Sequence, residues 1–337
     1  MDRSVVCNRT TLDDYAIAVL VPCFNEEKTV AKVIKDFRNV IPNADIYVYD
    51  NNSSDKTAEI ALREGAYVKK VAHQGKGNVV RQLFADVDAD LYLLVDGDAT
   101  YHAESAPGLI RCLLDRKLDM VVGARQTIEG EMTYRPGHRF GNALFTSAVN
   151  YIFDSGLTDI LSGYRVFSRR FVKSFPALSK GFEIETELTI HALELRMPVE
   201  EINTPYGARP VGSESKLSTW GDGFKILMTV LKLTEKERPF KFFVILALLF
   251  FGTSLLLAYP LVLTWLETGL VPRFPTAILS TGLMILAFLS LVCGLVMDAV
   301  TLSRREMKSL FYLSVYNSSQ YQQQASSGNS VFRKIED

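Results

Sequence analysis

Short apolar runs alternate with helix-spaced ones along residues 16–124. AIAVLVP (16–22), IYVYD (46–50), LYLLVD (91–96) and MVVGA (120–124) are continuous apolar runs. Strands covered on both faces of a parallel sheet have this pattern. Between the first two, Val30, Val33, Ile34 and Phe37 recur at i, i+3, i+4 and i+7, one face of an amphipathic helix. Residues 58–64 supply a second helix, with Ser53 or Ser54 placed to cap it. A β-α-β-α succession of this kind predicts a doubly wound α/β domain, and no internal repeat interrupts it.

Beyond residue 125 the pattern loosens. HRFGNALFTSAVNYIF (138–153) puts Phe140, Leu144, Ala148 and Ile152 on one helical face, suited to a core or to a membrane surface. YRVFS (164–168) reads as a further strand and FEIETELTIHALEL (182–195) as a helix. Two uncharged stretches follow, Phe242–Trp265 and Phe274–Met297, each longer than the roughly 20 apolar residues a spanning helix needs. Lys232, Lys236, Arg238 and Lys241 precede the first, and Arg304, Arg305 and Lys308 follow the second. The loop between them has Arg273 as its one cation, so both ends face the cytosol by the positive-inside rule. The expected division is an α/β domain over 1–217, an amphipathic juxtamembrane helix over 218–239, two transmembrane helices over 240–302, and a partly disordered cytosolic tail over 303–337.

Composition narrows the chemistry. The 337 residues carry 37 Lys+Arg against 38 Asp+Glu, a net charge of −1 that argues against a nucleic-acid partner. Four cysteines without C-x-x-C spacing suggest neither a zinc site nor a disulfide framework.

In open α/β sheets ligands bind beyond the carboxyl ends of the strands. PCFNEE (22–27), DNNSSDKT (50–57), HQGKGN (73–78) and DGDATYH (96–102) all fall at that edge. In the last, Asp96 and Asp98 flank Gly97, and two adjacent carboxylates repel unless a cation neutralises them. Mg²⁺ or Mn²⁺ suits oxygen ligands and keeps positions for substrate phosphates. Lys76 and Arg81 are further candidate countercharges on such a metal–diphosphate platform.

The order PCFNEE, DNNSSD, GKG, DGD resembles the family 2 glycosyltransferases of GT-A fold. GARQ (123–126), RPGHRFGN (135–142), DILSGYRVFSR (159–169), GFEIETEL (181–188) and GSESKL (212–217) are similar to its polyprenyl-phosphate branch. That branch includes dolichyl-phosphate mannose synthases and bacterial undecaprenyl-phosphate sugar transferases. The resemblance implies that Pro22, Asn25, Glu26, Asp50, Lys76, Asp96 and Gly97 bind the nucleotide-sugar, with Asp96 and Asp98 at the metal. It implies that Arg125, Arg139, Arg165 and Lys216 receive the acceptor phosphate, with Asp159 and Ser162 supporting that pocket. Asp98, Arg125, Arg139 and Asp159 then form the catalytic set. Two departures stand out. DNNSSD replaces the commoner DDGSSD, and Asn52 tolerates the positive φ of that turn. Thr100 replaces a longer residue at the third metal-ligand position, while His102 reads as a local hydrogen-bonder.

The expected activity is inverting, metal-dependent transfer of a sugar from a UDP-sugar, favoured over a GDP-sugar, to polyprenyl (undecaprenyl) phosphate. The expected location is the cytosolic face of the cytoplasmic (inner) membrane, in the making of a cell-envelope glycan, and related enzymes suggest a homotetramer. A lipid phosphate is already ionised and needs orientation more than a base, which suits the planar forks of arginine. Two other readings stand beside it. In one the acceptor is a hydroxyl of a lipid-linked glycan, with Asp159, Glu183 or Glu185 as base; in the other the chain is a non-catalytic, membrane-anchored nucleotide-binding scaffold. Arg169 and Arg170 read as solubilising surface charges.

Overall fold

The computed structural model describes residues 12–127, 146–207, 235 and 238–315, except 148, 151, 178, 180 and 182. Seven strands form one sheet: β1 (Ile17–Cys23), β2 (Asp45–Asp50), β3 (Tyr67–Lys70), β4 (Leu91–Leu94), β5 (Met120–Thr127), β6 (Arg165–Ser168) and β7 (Val199–Tyr206). Their order is β3-β2-β1-β4-β6-β5-β7. All neighbours pair in parallel except β6, which runs antiparallel to both β4 and β5. The expected strand at 164–168 is therefore present but reversed. Its reversal matters for function, because the start of β6, Arg165, lies opposite Leu94 at the end of β4. The loop that leads into β6 thus stays at the ligand-binding edge.

Among the described residues, six helices cover the sheet: α1 (Val30–Val40), α2 (Thr57–Arg63), α3 (Lys76–Asp86), α4 (Ala106–Asp115), α5 (Arg169–Ser174) and α6 (Ile184–Glu194). Successive strand residues feed opposite faces, which is why the runs are continuously apolar. Val19, Val21, Leu93, Val121 and Val166 meet Val33, Ile34 and Phe37 of α1 and Leu109 and Leu113 of α4. Leu20, Tyr92, Leu94, Val122 and Phe167 meet Val80 and Leu83 of α3, Phe171 of α5 and Leu188 of α6. Each such fully buried side chain contributes about 1.5–3 kcal/mol, so the two layers hold the strand ends rigidly.

Two local expectations change. α2 is not capped by Ser53 or Ser54; Asp55 Oδ1 accepts from the Thr57 N–H at 3.0 Å instead. The HQGKGN stretch is only half a turn, since its Lys76 begins α3. The expected helices over 138–153 and 218–239 lie mostly outside the described residues.

The chain divides into two compact units, one of Met1–Thr146, Ser155–Leu217 and Ser309–Asp337, the other of Ser147–Asp154 and Ser218–Lys308. The second contains α7 (Pro239–Thr268) and most of α8 (Phe274–Ser314), both long and apolar enough to cross a membrane. The α7–α8 contact uses small residues. Ser254 Oγ donates to the Ser280 carbonyl at 2.8 Å and Ser280 Oγ returns a bond to the Ser254 carbonyl at 3.0 Å. A Cβ on Gly294 would stand 2.9 Å from that of Phe243, so this glycine permits close helix approach. α8 continues past Arg304 and Arg305 to Ser314.

Candidate active site

The four polar clusters at the sheet edge are joined to one another. After β1 the chain turns through Asn25 at φ 54°. Asn25 Oδ1 accepts from Ser54 N at 2.9 Å, and Asn25 N donates to Ser53 Oγ at 2.9 Å. Glu26 N donates to Thr57 Oγ1 at 2.8 Å, which fastens the first loop to the second. Asp50, fully buried at the end of β2, accepts from Ser53 N at 3.3 Å. Asn52 adopts φ 60°, as its place in the turn predicts. Asn51 Oδ1 reaches the third cluster through Gly75 N at 3.2 Å, and Thr29 Oγ1 reaches the fourth through the Gly97 carbonyl at 2.7 Å. Pro22, half-buried, completes the rim.

At the centre, Lys76 lies between Asp96 and Glu185 and forms an ion pair with each. Burial alone would lower the Lys76 ammonium, but the charges of Asp96 and Glu185 outweigh it and hold its pKa above the ordinary value. Glu185 Oε2 is buried and has no hydrogen-bond partner among the described residues. Gly163, on the loop before β6, presses against this group. A Cβ there would lie 2.5 Å from Asp96 Oδ2 and 3.1 Å from Lys76 Nζ. Gly97 is equally constrained, with Cys23 Sγ 2.5 Å from where its Cβ would be. The Cys23 thiol is raised well above its usual pKa by burial and the surrounding carboxylates, so it stays protonated.

Asp98 is buried, and its Oδ1 accepts from Thr100 Oγ1 at 2.6 Å and Thr100 N at 3.2 Å. Thr100 therefore orients Asp98. Among the described residues no three His, Cys, Asp or Glu side chains cluster to hold a metal. Two carboxylates on a glycine turn, without thiolate or imidazole, suit a hard cation that draws its remaining ligands from diphosphate and water. Asp96 and Asp98 fit such an ion. His102 faces Glu104 at 3.9 Å.

On the loop before β6, Asp159 grips Arg125. Arg125 Nε donates to Asp159 Oδ2 and Arg125 Nη2 to Oδ1, both at 2.7 Å, with Arg125 N adding 3.2 Å. Burial would raise the Asp159 carboxyl, but the hydrogen bonds and charge of Arg125 hold its pKa below the usual value. Asp159 is thus an ionised clamp, a poor candidate for a base. The Arg125 guanidinium also lies over the Tyr206 ring, 5.7 Å from its centroid. Tyr101 OH accepts from Gly163 N at 2.9 Å, joining the loop before β6 to the turn after β4.

Several expected roles change with these contacts. Arg165 is fully buried, donating to the carbonyls of Ser162 at 2.8 Å and Ile160 at 2.6 Å and to Thr189 Oγ1 at 2.9 Å. Burial lowers its pKa to about 10, and it shapes the 160–162 loop where the sequence suggested a phosphate ligand. Ser162 is also buried, donating to the Gly123 carbonyl at 2.6 Å, so it braces the loop from within. Arg81 donates to the Ala177 carbonyl at 2.7 Å, which ties it to that loop. Arg170 is no solubiliser; it makes bonds of 2.6 and 2.8 Å to the fully buried Asp119. Arg169 does pair at the surface, with Asp88 at 2.8 Å. Glu183 stands at the N-cap of α6. Arg139 and Lys216 lie outside the described residues. Sequence reasoning missed Gly163, Tyr101 and Tyr206, whose residue types carry no catalytic signature.

A doubly wound sheet with linked loops and paired carboxylates at its carboxyl edge is built to bind a ligand at that edge. Residues 18–175 match the model for glycosyl transferase family 2. Glycosyltransferase AglJ of Haloferax volcanii is 30% identical over 302 residues, spanning 88% of this chain and 97% of that protein. The dolichyl-phosphate hexose transferase of the same organism is 27% identical over 228 residues, spanning 68% of this chain and 97% of that one. Among solved structures, glucosyl-3-phosphoglycerate synthase of Mycobacterium tuberculosis in complex with Mn²⁺ and UDP-glucose superposes with a TM-score of 0.53. That match covers 66% of this chain and 78% of the other at 22% identity, a likeness of fold. The chain belongs to glycosyl transferase family 2 and is a glycosyltransferase.

Proposed function

We propose that this enzyme transfers a hexose from a UDP-sugar to a polyprenyl phosphate, with inversion, at the cytosolic face of the inner membrane. The observation that carries the reading is the Arg125–Asp159 clamp, a rigid cation on the sheet edge that also bears Asp96 and Asp98. In open α/β sheets ligands bind beyond the carboxyl ends of the strands, and the carboxylate pair and the loop that carries Asp159 both lie there.

Pro22, Asn25, Glu26 and Asp50 enclose the nucleotide in this reading, and Lys76 holds Asp96 in place beneath the diphosphate. Glu185 Oε2, an acceptor without a partner, suits a hydroxyl of the donor sugar. Mg²⁺ or Mn²⁺ held by Asp96 and Asp98 would offset charge on the departing diphosphate. A lipid phosphate oxygen attacks the anomeric carbon as the bond to the diphosphate oxygen breaks, and the configuration inverts. The phosphate enters ionised, so no group must remove a proton, consistent with Asp159 being committed to Arg125. Arg125 orients it, and Arg139 and Lys216 supply the charge that neutralises it.

The donor assignment draws support from a fold neighbour bound to UDP-glucose, and the acceptor from the dolichyl-phosphate hexose transferase relative. The α7–α8 hairpin would keep residues 1–217 beside a lipid substrate. Membranes containing the protein are incubated with labelled nucleotide-sugars and undecaprenyl phosphate, with and without EDTA. The expected product is a labelled, mild-acid-labile lipid phosphate sugar that EDTA abolishes. An unlabelled lipid fraction, or label on a glycan hydroxyl, overturns the proposal.

A further inference from the structure

The Arg125 clamp is itself held from behind. Glu201 lies on β7, paired with Val122 of β5, three residues before the Thr204–Arg125 pair. Its Oε2 accepts from the backbone N–H groups of Thr158 at 2.8 Å and Asp159 at 3.0 Å, and its other oxygen from the Thr158 hydroxyl. One carboxylate therefore collects donors from two consecutive loop residues. The second of those residues supplies the carboxylate that binds Arg125 through both Nε and Nη2.

We propose that Glu201 is a positioning residue for the acceptor site, setting the Arg125 guanidinium through the 158–159 backbone and Asp159. The proposal rests on the reading that Arg125 receives the acceptor phosphate. Glu201 itself touches neither Arg125 nor the paired carboxylates in any hydrogen bond or ion pair described above. Its place in the chain of contacts is nonetheless decisive, because the backbone at 158–159 is anchored to β7 through this side chain. Without it, rotation about that segment carries Asp159 away, and a guanidinium fork loses bidentate geometry with small displacements.

A general weakening of the strand would be a different effect, and the structure separates the two. β7 pairs with β5 along its whole length through backbone bonds that do not involve the Glu201 side chain. Glu200, its neighbour, projects to the opposite face and pairs with Arg116, remote from the 158–159 loop. Glu200→Ala is therefore a matched control, removing a carboxylate and an ion pair from the same strand.

The test uses the full chain in membranes, with kinetics for both substrates. Glu201→Ala should raise the KM for polyprenyl phosphate roughly 10-fold, the scale expected when a positioned group drifts by a fraction of an ångström. The KM for the nucleotide-sugar should stay within twofold. Glu201→Gln, which keeps a carbonyl acceptor for the two N–H groups, should restore most of the loss, and Glu200→Ala should show none. In an Arg125→Ala background, Glu201→Ala should add nothing further to the acceptor KM. The proposal is overturned if Glu201→Ala leaves the acceptor KM unchanged while Arg125→Ala raises it. It is also overturned if Glu201→Ala costs as much with Arg125 absent, or if both substrates suffer alike. An unchanged acceptor KM in Arg125→Ala alone overturns the underlying assignment of Arg125, and this proposal with it. Thermal unfolding of each variant, matched to Glu200→Ala, separates a lost clamp from a lost fold.

Discussion

Gly163 shows how much a single residue can set. Its missing side chain lets the loop before β6 lie against Asp96 and Lys76, where a Cβ would come within 2.5 Å of a carboxylate oxygen. Gly163→Ala should push Asp96 from its place and reduce kcat/KM by about 10²-fold, with unfolding temperature little changed. Unchanged kinetics would show that the loop yields instead. Arg165 makes the opposite case. Its buried guanidinium satisfies two carbonyls and a hydroxyl, so Arg165→Ala leaves both a cavity and unpaired acceptors. A loss of about 3–5 kcal/mol in unfolding free energy is expected. A phosphate ligand would instead show a raised acceptor KM at nearly constant stability. At this scale the sequence revealed Asp96 and Asp98 because they are two positions apart. Arg165 was misjudged because a cation in a motif does not disclose which way its strand runs.

Among the elements, β6 organises the loop that carries Asp159 and Gly163. Reversed between β4 and β5, it delivers Asp159, Ser162 and Gly163 to the edge where the parallel strands end. The apolar periodicity that located this strand is blind to direction, so antiparallel insertion was not legible. The polar edge strand β7, with Glu200 and Glu201 at its start, offered no apolar run. The Asp159–Arg125 pair ties the β6 approach loop to β5, and its contribution should depend on pH. The folded Asp159 carboxyl is depressed, so its stabilisation is complete above the unfolded value of about 3.9 and is lost as pH falls through the lower folded value. Asp159→Asn should therefore be less stable than the parent at pH 7. The difference should shrink below about pH 4, measured by denaturant unfolding in detergent. A gap undiminished between pH 7 and pH 2 would mean that the charge is not what stabilises.

The whole molecule combines a catalytic α/β unit with two long apolar helices that leave most of their large side chains exposed. Leu256, Leu266, Phe288 and Leu295 are among many such residues, far more apolar surface than a water-facing helix pair carries. The protein should stay in the membrane pellet through a carbonate wash and leave it only in detergent. Release by carbonate would show that the hairpin does not span. These helices were legible from composition, since an uncharged run of such length has few other solutions. So were the apolar strands of the sheet, α1 and the polar clusters that end the strands, because burial and period are written in local sequence. Tertiary structure alone decided which groups meet. Lys76 and Glu185 are 109 positions apart, Arg125 and Asp159 34, and Asp159 and Glu201 42. Those meetings depend on the order and direction of strands across the sheet, which follow from packing the whole domain at once, and no local pattern encodes them.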